Sequence, residues 1–183
     1  MKRLCAGGAT LIQLREKQMS PRGFYEAAKR ALLVARSYGA RVIINDRADL
    51  ALALAADGVH LGQDDLPPSA ARALLGKDAI IGFSTHTLEQ AKAASTLPVD
   101  YVAFGPIFET QSKANPDAVV GLEGLRLVRE AIGEMPLVAI GGIALPDVEK
   151  ALAAGADSVA VISLLLANPN EIEARTRAIL ASR

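Results

Sequence analysis

The sequence predicts an α/β protein built as a TIM-type (β/α)8 barrel that lacks its first strand and part of its first helix. Three observations lead there. Short β-branched runs alternate with amphipathic helical patterns from one end of the chain to the other. The β-branched runs are almost continuously apolar, as parallel strands covered on both faces must be. Polar, chemistry-bearing residues follow many of the strands instead of collecting at one switch point, which favours a barrel over a doubly wound open sheet.

The elements follow in order. Strands are expected at 10–14, 41–44, 58–61, 79–83, 101–104, 137–140 and 158–162. Helices are expected at 21–38, 47–56, 68–75, 88–95, 122–132, 146–154 and 171–180. Ser20-Pro21 and Leu145-Pro146 read as helix starts with proline in the first turn. Glycine punctuates helix ends, as in Tyr38-Gly39-Ala40 and Ala154-Gly155-Ala156. Seven strands are one short of a closed barrel. The opening, Arg3 through Ala9, resembles the helix-to-strand junction Ala151–Ala156, so the chain reads as starting in the tail of a helix. The expectation is that the natural start lies upstream and that the 183 residues form one domain.

Composition narrows the function classes. Twenty basic residues balance twenty acidic ones, which removes a global pull toward nucleic acid or an anionic membrane. Aromatic content is 4% with no Trp, too little for base-stacking platforms. Cys5 is the single cysteine, excludes an internal disulfide, and sits among small apolar neighbours as a packing residue. No stretch approaches the roughly 18 apolar residues of a membrane span, and the first residues do not form a signal peptide. A cytoplasmic enzyme acting on small molecules is the expectation. An uncovered sheet edge leaves a homo-oligomer open.

The candidate chemistry lies where strands end. Gln13-Leu14-Arg15-Glu16-Lys17 closes the first strand; Gln13, Arg15 and Lys17 alternate and turn to one side if the strand persists. Arg15 can grip phosphate oxygens in a bidentate fashion and Lys17 adds a point charge. The plainer alternative is a solvated charge run with Glu16 paired locally. Asn45-Asp46-Arg47 follows the second strand, where Asp46 either caps the next helix or holds Mg2+. The run from His60 through Asp65 brings a second acidic pair to an equivalent position, and His60 itself reads as a hydrogen-bonded core histidine. Ser84 to Thr87 end the next strand, with Thr87 suited to cap the helix beyond it.

The longest connection, Ile107 through Gly121, carries Thr110, Gln111, Ser112 and Lys113, hydroxyls and a cation suited to an anion, while Asn115-Pro116-Asp117 shapes its turn. Gly141-Gly142 and Ile162-Ser163 end the last two strands, where many barrels bind phosphate through backbone N–H groups. Two separated histidines and one cysteine make no zinc site. No nucleophile elbow or Walker loop is present.

Taken together, Gln13–Lys17, Ile44–Arg47, Gly58–Leu66, Gly82–Thr87, Tyr101–Lys113, Ala139–Ile143 and Ala160–Ser163 resemble, in order and across nearly the whole chain, the thiamine-phosphate synthase family. The resemblance implies a TIM barrel and a Mg-dependent transferase. Such an enzyme joins 4-amino-2-methyl-5-(hydroxymethyl)pyrimidine diphosphate to a thiazole phosphate and releases pyrophosphate. Carried over, Gln13, Leu14, Arg15, Glu16, Lys17, Asn45, Ser84 and Lys113 contact the pyrimidine diphosphate, with Arg15, Lys17 and Lys113 catalytic. Asp46 and Asp65 hold Mg2+. Thr110, Gln111, Ser112, Gly142, Ile162 and Ser163 seat the thiazole phosphate; Ser112 keeps the hydroxyl where the family often has Thr. A thiazole tautomerase-like enzyme and a non-catalytic ligand-binding paralogue are the alternatives.

Overall fold

The computed structural model of the chain describes residues 1–110 and 117–182. Seven parallel strands pair strictly in chain order: β1 (Leu11–Leu14), β2 (Arg41–Asn45), β3 (Gly58–Leu61), β4 (Ile80–Thr85), β5 (Tyr101–Phe104), β6 (Leu137–Ile140) and β7 (Ser158–Ala160). Helices alternate with them: α1 (Lys2–Ala6), α2 (Pro21–Ser37), α3 (Ala48–Ala53), α4 (Pro68–Leu75), α5 (Leu88–Ala94), α6 (Gly121–Ile132), α7 (Val148–Ala153), α8 (Ser163–Leu166) and α9 (Ile172–Ala181).

The alternation of side chains along each strand creates two layers. Val42, Ile44, Val59, Leu61, Ile81, Phe83, Val102, Phe104, Leu137 and Ala139 belong to the hydrophobic cluster shared with the helices, and none is more than 8% exposed. The other face of the strands points into the barrel. There the residues are mixed: Ile43 is apolar, whereas His60 and Ser84 are buried and polar. Cys5 is buried in the outer layer, as a packing residue should be.

The sheet curls until its two ends meet on the outside. Within the described residues β1 and β7 have one strand neighbour each, yet α1 and α9 are in contact. Arg3 donates to the Pro169 carbonyl and to Asn170 Oδ1, and a Cβ on Gly7 would lie 2.6 Å from Thr176 Cβ. The helical ring therefore closes where the sheet has seven strands. The opening residues form the short helix α1, which runs into β1 as the helix-to-strand junction in the sequence suggests.

Boundaries shift for local reasons. Ser20 caps α2 by accepting from Gly23 N–H at 3.2 Å, with Pro21 in the first turn. Leu145–Asp147 is a 3-10 turn leading into α7. Strand β1 stops at Leu14, so the alternation of Gln13, Arg15 and Lys17 does not continue as strand geometry. The short helix α8 was not apparent from periodicity, since four residues cannot display a 3.6-residue repeat.

At the amino-terminal ends of the strands one device recurs three times. Asp57, Asp100 and Asp157 each precede a strand and each accept, at 2.7 Å, the backbone N–H of Val42, Ile81 and Leu137 on the preceding strand. Their own N–H groups return bonds to the carbonyls of the same three residues at 2.8–2.9 Å. Arg72 and Arg129 then pair with Asp100 and Asp157 at 2.7 and 2.6 Å and also gather nearby carbonyls. Each aspartate thus continues the ladder with a side chain where the backbone turns away. Replacing Asp100 by Ala orphans the Ile81 N–H and frees Arg72, and should cost about 1–3 kcal/mol. Urea unfolding measures the loss; substrate turnover per folded molecule should not change, because this end lies opposite the polar rim.

Candidate functional site

The carboxyl ends of the strands carry the chemistry, as parallel barrels require. A shallow pocket lined by Arg41, Asp57, Asp78 and Ile80 lies at the other end, among the residues that lock the strands together.

After β2 the chain makes a three-residue turn at Asp46. Arg47 N–H donates to the Asn45 carbonyl at 2.8 Å, and Asp46 has φ +63. A positive φ is uncommon outside glycine, and aspartate is among the residues that tolerate it. Asp46 N–H extends the sheet by donating to the His60 carbonyl at 2.8 Å. The capping alternative for Asp46 does not hold: α3 starts after Arg47, and no side chain caps it. Arg47 instead pairs with Asp49 at 2.5 Å on the surface. The Asp46 carboxylate is left on the rim, 3.2 Å from Lys17 Nζ.

The turn after β3 supplies the second carboxylate. Asp65 accepts Gly62 N–H at 2.7 Å and interacts directly with Asp46. Burial raises the Asp65 carboxyl above the ordinary aspartate range; the Gly62 N–H opposes this, and the neighbouring Asp46 adds to it. Two carboxylates held side by side, with a lysine reaching them from β1, form an arrangement that a divalent cation relieves.

Deeper in the barrel a polar chain links β5, β3 and β4. The Tyr101 hydroxyl of β5 lies beside the Gln13 amide of β1. That hydroxyl is 2.7 Å from His60 Nδ1, and His60 Nε2 is 2.8 Å from Ser84 Oγ. The two rings stack with centroids 5.5 Å apart. Burial pushes the Tyr101 hydroxyl further from ionisation. His60 is the hydrogen-bonded core histidine its sequence position suggests. Tyr101 was missed, because an aromatic residue opening an apolar strand looks like ordinary core.

Other candidates lie on the connections after β1, β4, β6 and β7. Thr87 caps α5 by accepting Gln90 N–H at 3.2 Å. His86 joins the two shoulders of the long connection: Nδ1 meets the Gly105 carbonyl at 2.5 Å and Nε2 lies 3.4 Å from Asp117. Gly141 and Gly142 have φ +88 and +68. A Cβ on Gly142 would strike the Phe108 and Glu109 carbonyls at 2.5 and 2.4 Å, so this glycine is required by loop-on-loop contact beside Thr110. Ile162 and Ser163 begin α8 just beyond β7, next to β6. Glu16 accepts Gln18 N–H at 2.7 Å, the local pairing that its sequence allowed, and Arg15 is exposed on the same segment. Gln111, Ser112 and Lys113 lie outside the described residues, as do Asn115 and Pro116.

The raised Asp65 carboxyl sets a sign for stability. A folded-state value above the unfolded one means that the folded chain binds the proton more tightly. Stability then falls as pH rises from the ordinary aspartate value through the raised one, and stays lower above it. Asp65→Asn removes that dependence while keeping an acceptor for Gly62. Urea midpoints from pH 3.5 to 7 should show the variant gaining on the parent as pH rises.

The chain is similar to known proteins over nearly its full length. Residues 1–165 match the family model for thiamine monophosphate synthase. Thiamine-phosphate synthase of Koribacter versatilis is 51% identical over 170 residues, spanning 93% of this chain and 80% of that protein. The Azorhizobium caulinodans enzyme of the same name is 47% identical over 169 residues, spanning 92% and 79%. Among solved structures, thiamine phosphate pyrophosphorylase from Pyrococcus furiosus superposes with TM-score 0.88 at 36% identity, covering 99% of this chain and 86% of that one. On the fold, the rim geometry and these likenesses, the chain belongs to the thiamine monophosphate synthase family.

Proposed function

We propose that this protein is a thiamine-phosphate synthase, a Mg2+-dependent transferase that joins a pyrimidinylmethyl diphosphate to a thiazole phosphate with loss of pyrophosphate. The observation that carries the reading is the adjacent pair Asp46 and Asp65 with Lys17 beside them. The donor set fits Mg2+, which takes one or two carboxylates and fills its remaining positions with water and phosphate oxygens. Among the described residues no third acidic, histidine or cysteine ligand joins them, as such a site allows. Bound there, Mg2+ would supply charge neutralisation for the diphosphate.

The chain's own residues do the rest. Arg15 and Lys17 follow β1 on an exposed segment and stabilise negative charge on the departing diphosphate, with Lys113 supplying a further cation. Lys17 reaches the diphosphate and Asp46 together, so leaving-group charge and carboxylate charge are balanced by one side chain. Gln13, Asn45 and Ser84 orient the pyrimidine. As the C–O bond breaks, the aminopyrimidine spreads the positive charge on its exocyclic carbon. The thiazole nitrogen attacks that carbon with its own lone pair, so no protein base has to remove a proton from the nucleophile. Thr110, Gln111, Ser112, Gly142, Ile162 and Ser163 hold the thiazole phosphate and fix the angle of attack. The paired carboxylates favour this reading over a tautomerase-like one, which has no diphosphate to hold.

Mixing both substrates with protein and Mg2+ and measuring pyrophosphate tests the reading; no release above background would refute it. Asp46→Asn keeps a residue tolerant of positive φ and removes one charge. It should lower turnover about 100-fold while leaving thiazole phosphate affinity unchanged. Steady-state kinetics across Mg2+ concentrations would check this, and parent-like turnover at limiting Mg2+ would remove Asp46 from the site. Lys113→Ala should also lose turnover, with its urea midpoint unchanged.

A further inference from the structure

We infer that His86 is a positioning residue that bridges the two shoulders of the β5–α6 connection. The bridge is complete only while the imidazole carries both of its protons. The inference rests on the proposed function for the ligand that this connection serves, but the bridge itself is testable without it.

The backbone of His86 is fixed before its ring reaches out. Its N–H donates to Gln90 Oε1 at 2.7 Å, while Thr87 accepts the Gln90 N–H at 3.2 Å. This reciprocal pair at the start of α5 resembles a capping box. The side chain is 15% exposed and spans from Gly105, where the connection leaves β5, to Asp117, shortly before α6. Backbone bonds already hold the near shoulder and the base. Ile107 and Phe108 N–H groups donate to the Ile140 and Gly141 carbonyls at 2.9 and 3.1 Å, and Val120 N–H donates to the Pro106 carbonyl at 2.9 Å. The contact between His86 and Asp117 adds a hold on the far shoulder, outside that base.

Chemistry fixes the direction of both contacts. A carbonyl only accepts, so the nitrogen that meets Gly105, Nδ1, must carry a hydrogen. An ionised carboxylate also only accepts, so Nε2 needs a hydrogen of its own to bond Asp117. A neutral imidazole has one N–H, and Gly105 takes it. The link to Asp117 therefore forms only with the imidazolium, as an ion pair. In the neutral ring a bare lone pair faces the carboxylate, and the far shoulder is released while the near link stays. Other charges on the surrounding elements lie elsewhere. Glu89 and Lys92 of α5 and Glu109 of the near shoulder are exposed, and Glu123 of α6 pairs with Arg126 at 3.1 Å.

The connection carries Thr110 and rests against Gly142, both proposed to hold the thiazole phosphate. That ligand is the one whose binding should follow the bridge. The pyrimidine diphosphate is gripped mainly from the connections after β1, β2 and β3, which His86 does not touch.

Asp117→Asn makes the bridge independent of ring charge, because an amide can accept from Nε2–H or donate to the bare nitrogen. From about pH 5.5 to 8, where imidazole titrates, KM for the thiazole phosphate in the parent should rise about fivefold relative to that in Asp117→Asn. The ligand's own ionisation is common to both proteins and cancels in the ratio. The same ratio for the pyrimidine diphosphate should stay within about twofold. A thiazole phosphate ratio that is constant with pH would overturn the inference. Asp117 is 43% exposed, so its substitution does not open the core.

Nitrogen-15 NMR of the ring, assigned by its loss in His86→Asn, reads the bridge with no substrate present. At about pH 8.5 the single proton should sit on Nδ1, and at about pH 5.5 an Nε2–H should appear that exchanges slowly with water. Asp117→Ala should abolish that slow exchange. A neutral ring protonated on Nε2, or an Nε2–H unchanged in Asp117→Ala, would overturn the inference. If the parent releases no pyrophosphate, the proposed function fails, and these NMR outcomes still decide the bridge.

Discussion

The hydrogen bond from Asp46 N–H to the His60 carbonyl, 2.8 Å long, is the point where a sheet becomes a site. It lengthens the ladder between β2 and β3 by one residue after the chain has begun to turn. Asp46 makes that bond with its backbone in the left-handed region at φ +63. The cost of that conformation is small for aspartate and of order 1–3 kcal/mol for less tolerant residues. In return the carboxylate is fixed beside Asp65 and Lys17, and residues separated in sequence share one rim.

The two ends of the strands divide the work. At the amino-terminal end Asp57, Asp100 and Asp157 each accept a backbone N–H from the preceding strand, and Arg72 and Arg129 neutralise the latter two, so their charge holds neighbouring strands in register. At the other end Asp46 and Asp65 face each other, and burial together with like charge works against ionisation of Asp65. The same side-chain chemistry is stabilising where donors are provided and unfavourable where two carboxylates lie together. Between the ends a buried polar chain joins Tyr101, His60 and Ser84 across three strands.

Much of the fold was legible because periodicity records burial. The runs Gly58–Leu61, Tyr101–Phe104 and Leu137–Ile140 are strands with the limits their apolar stretches suggest, and Pro68–Leu75 is a helix with its limits marked by proline and glycine. The candidate site was legible in part. Asp46, Asp65 and Lys17 were picked out by position after strands, and they do come together. Tyr101 was not, since nothing in an isolated Tyr-Val-Ala-Phe run distinguishes a tyrosine paired with a buried histidine from a core aromatic. The packing need for glycine at position 142 was not legible either, because the Phe108 and Glu109 carbonyls that occupy its Cβ space come from a different loop.

By itself the sequence determined the alternation of elements, the parallel sheet and the family, because apolar spacing and motif order are local properties of the chain. Only the tertiary structure decided that Asp46 leaves α3 uncapped and sets its carboxylate on the rim beside Lys17. Only it revealed that three similar aspartates are locks and that Tyr101, His60 and Ser84 are joined inside the barrel. Those roles depend on which neighbour fills each hydrogen-bonding valence, and that neighbour arrives from a different strand.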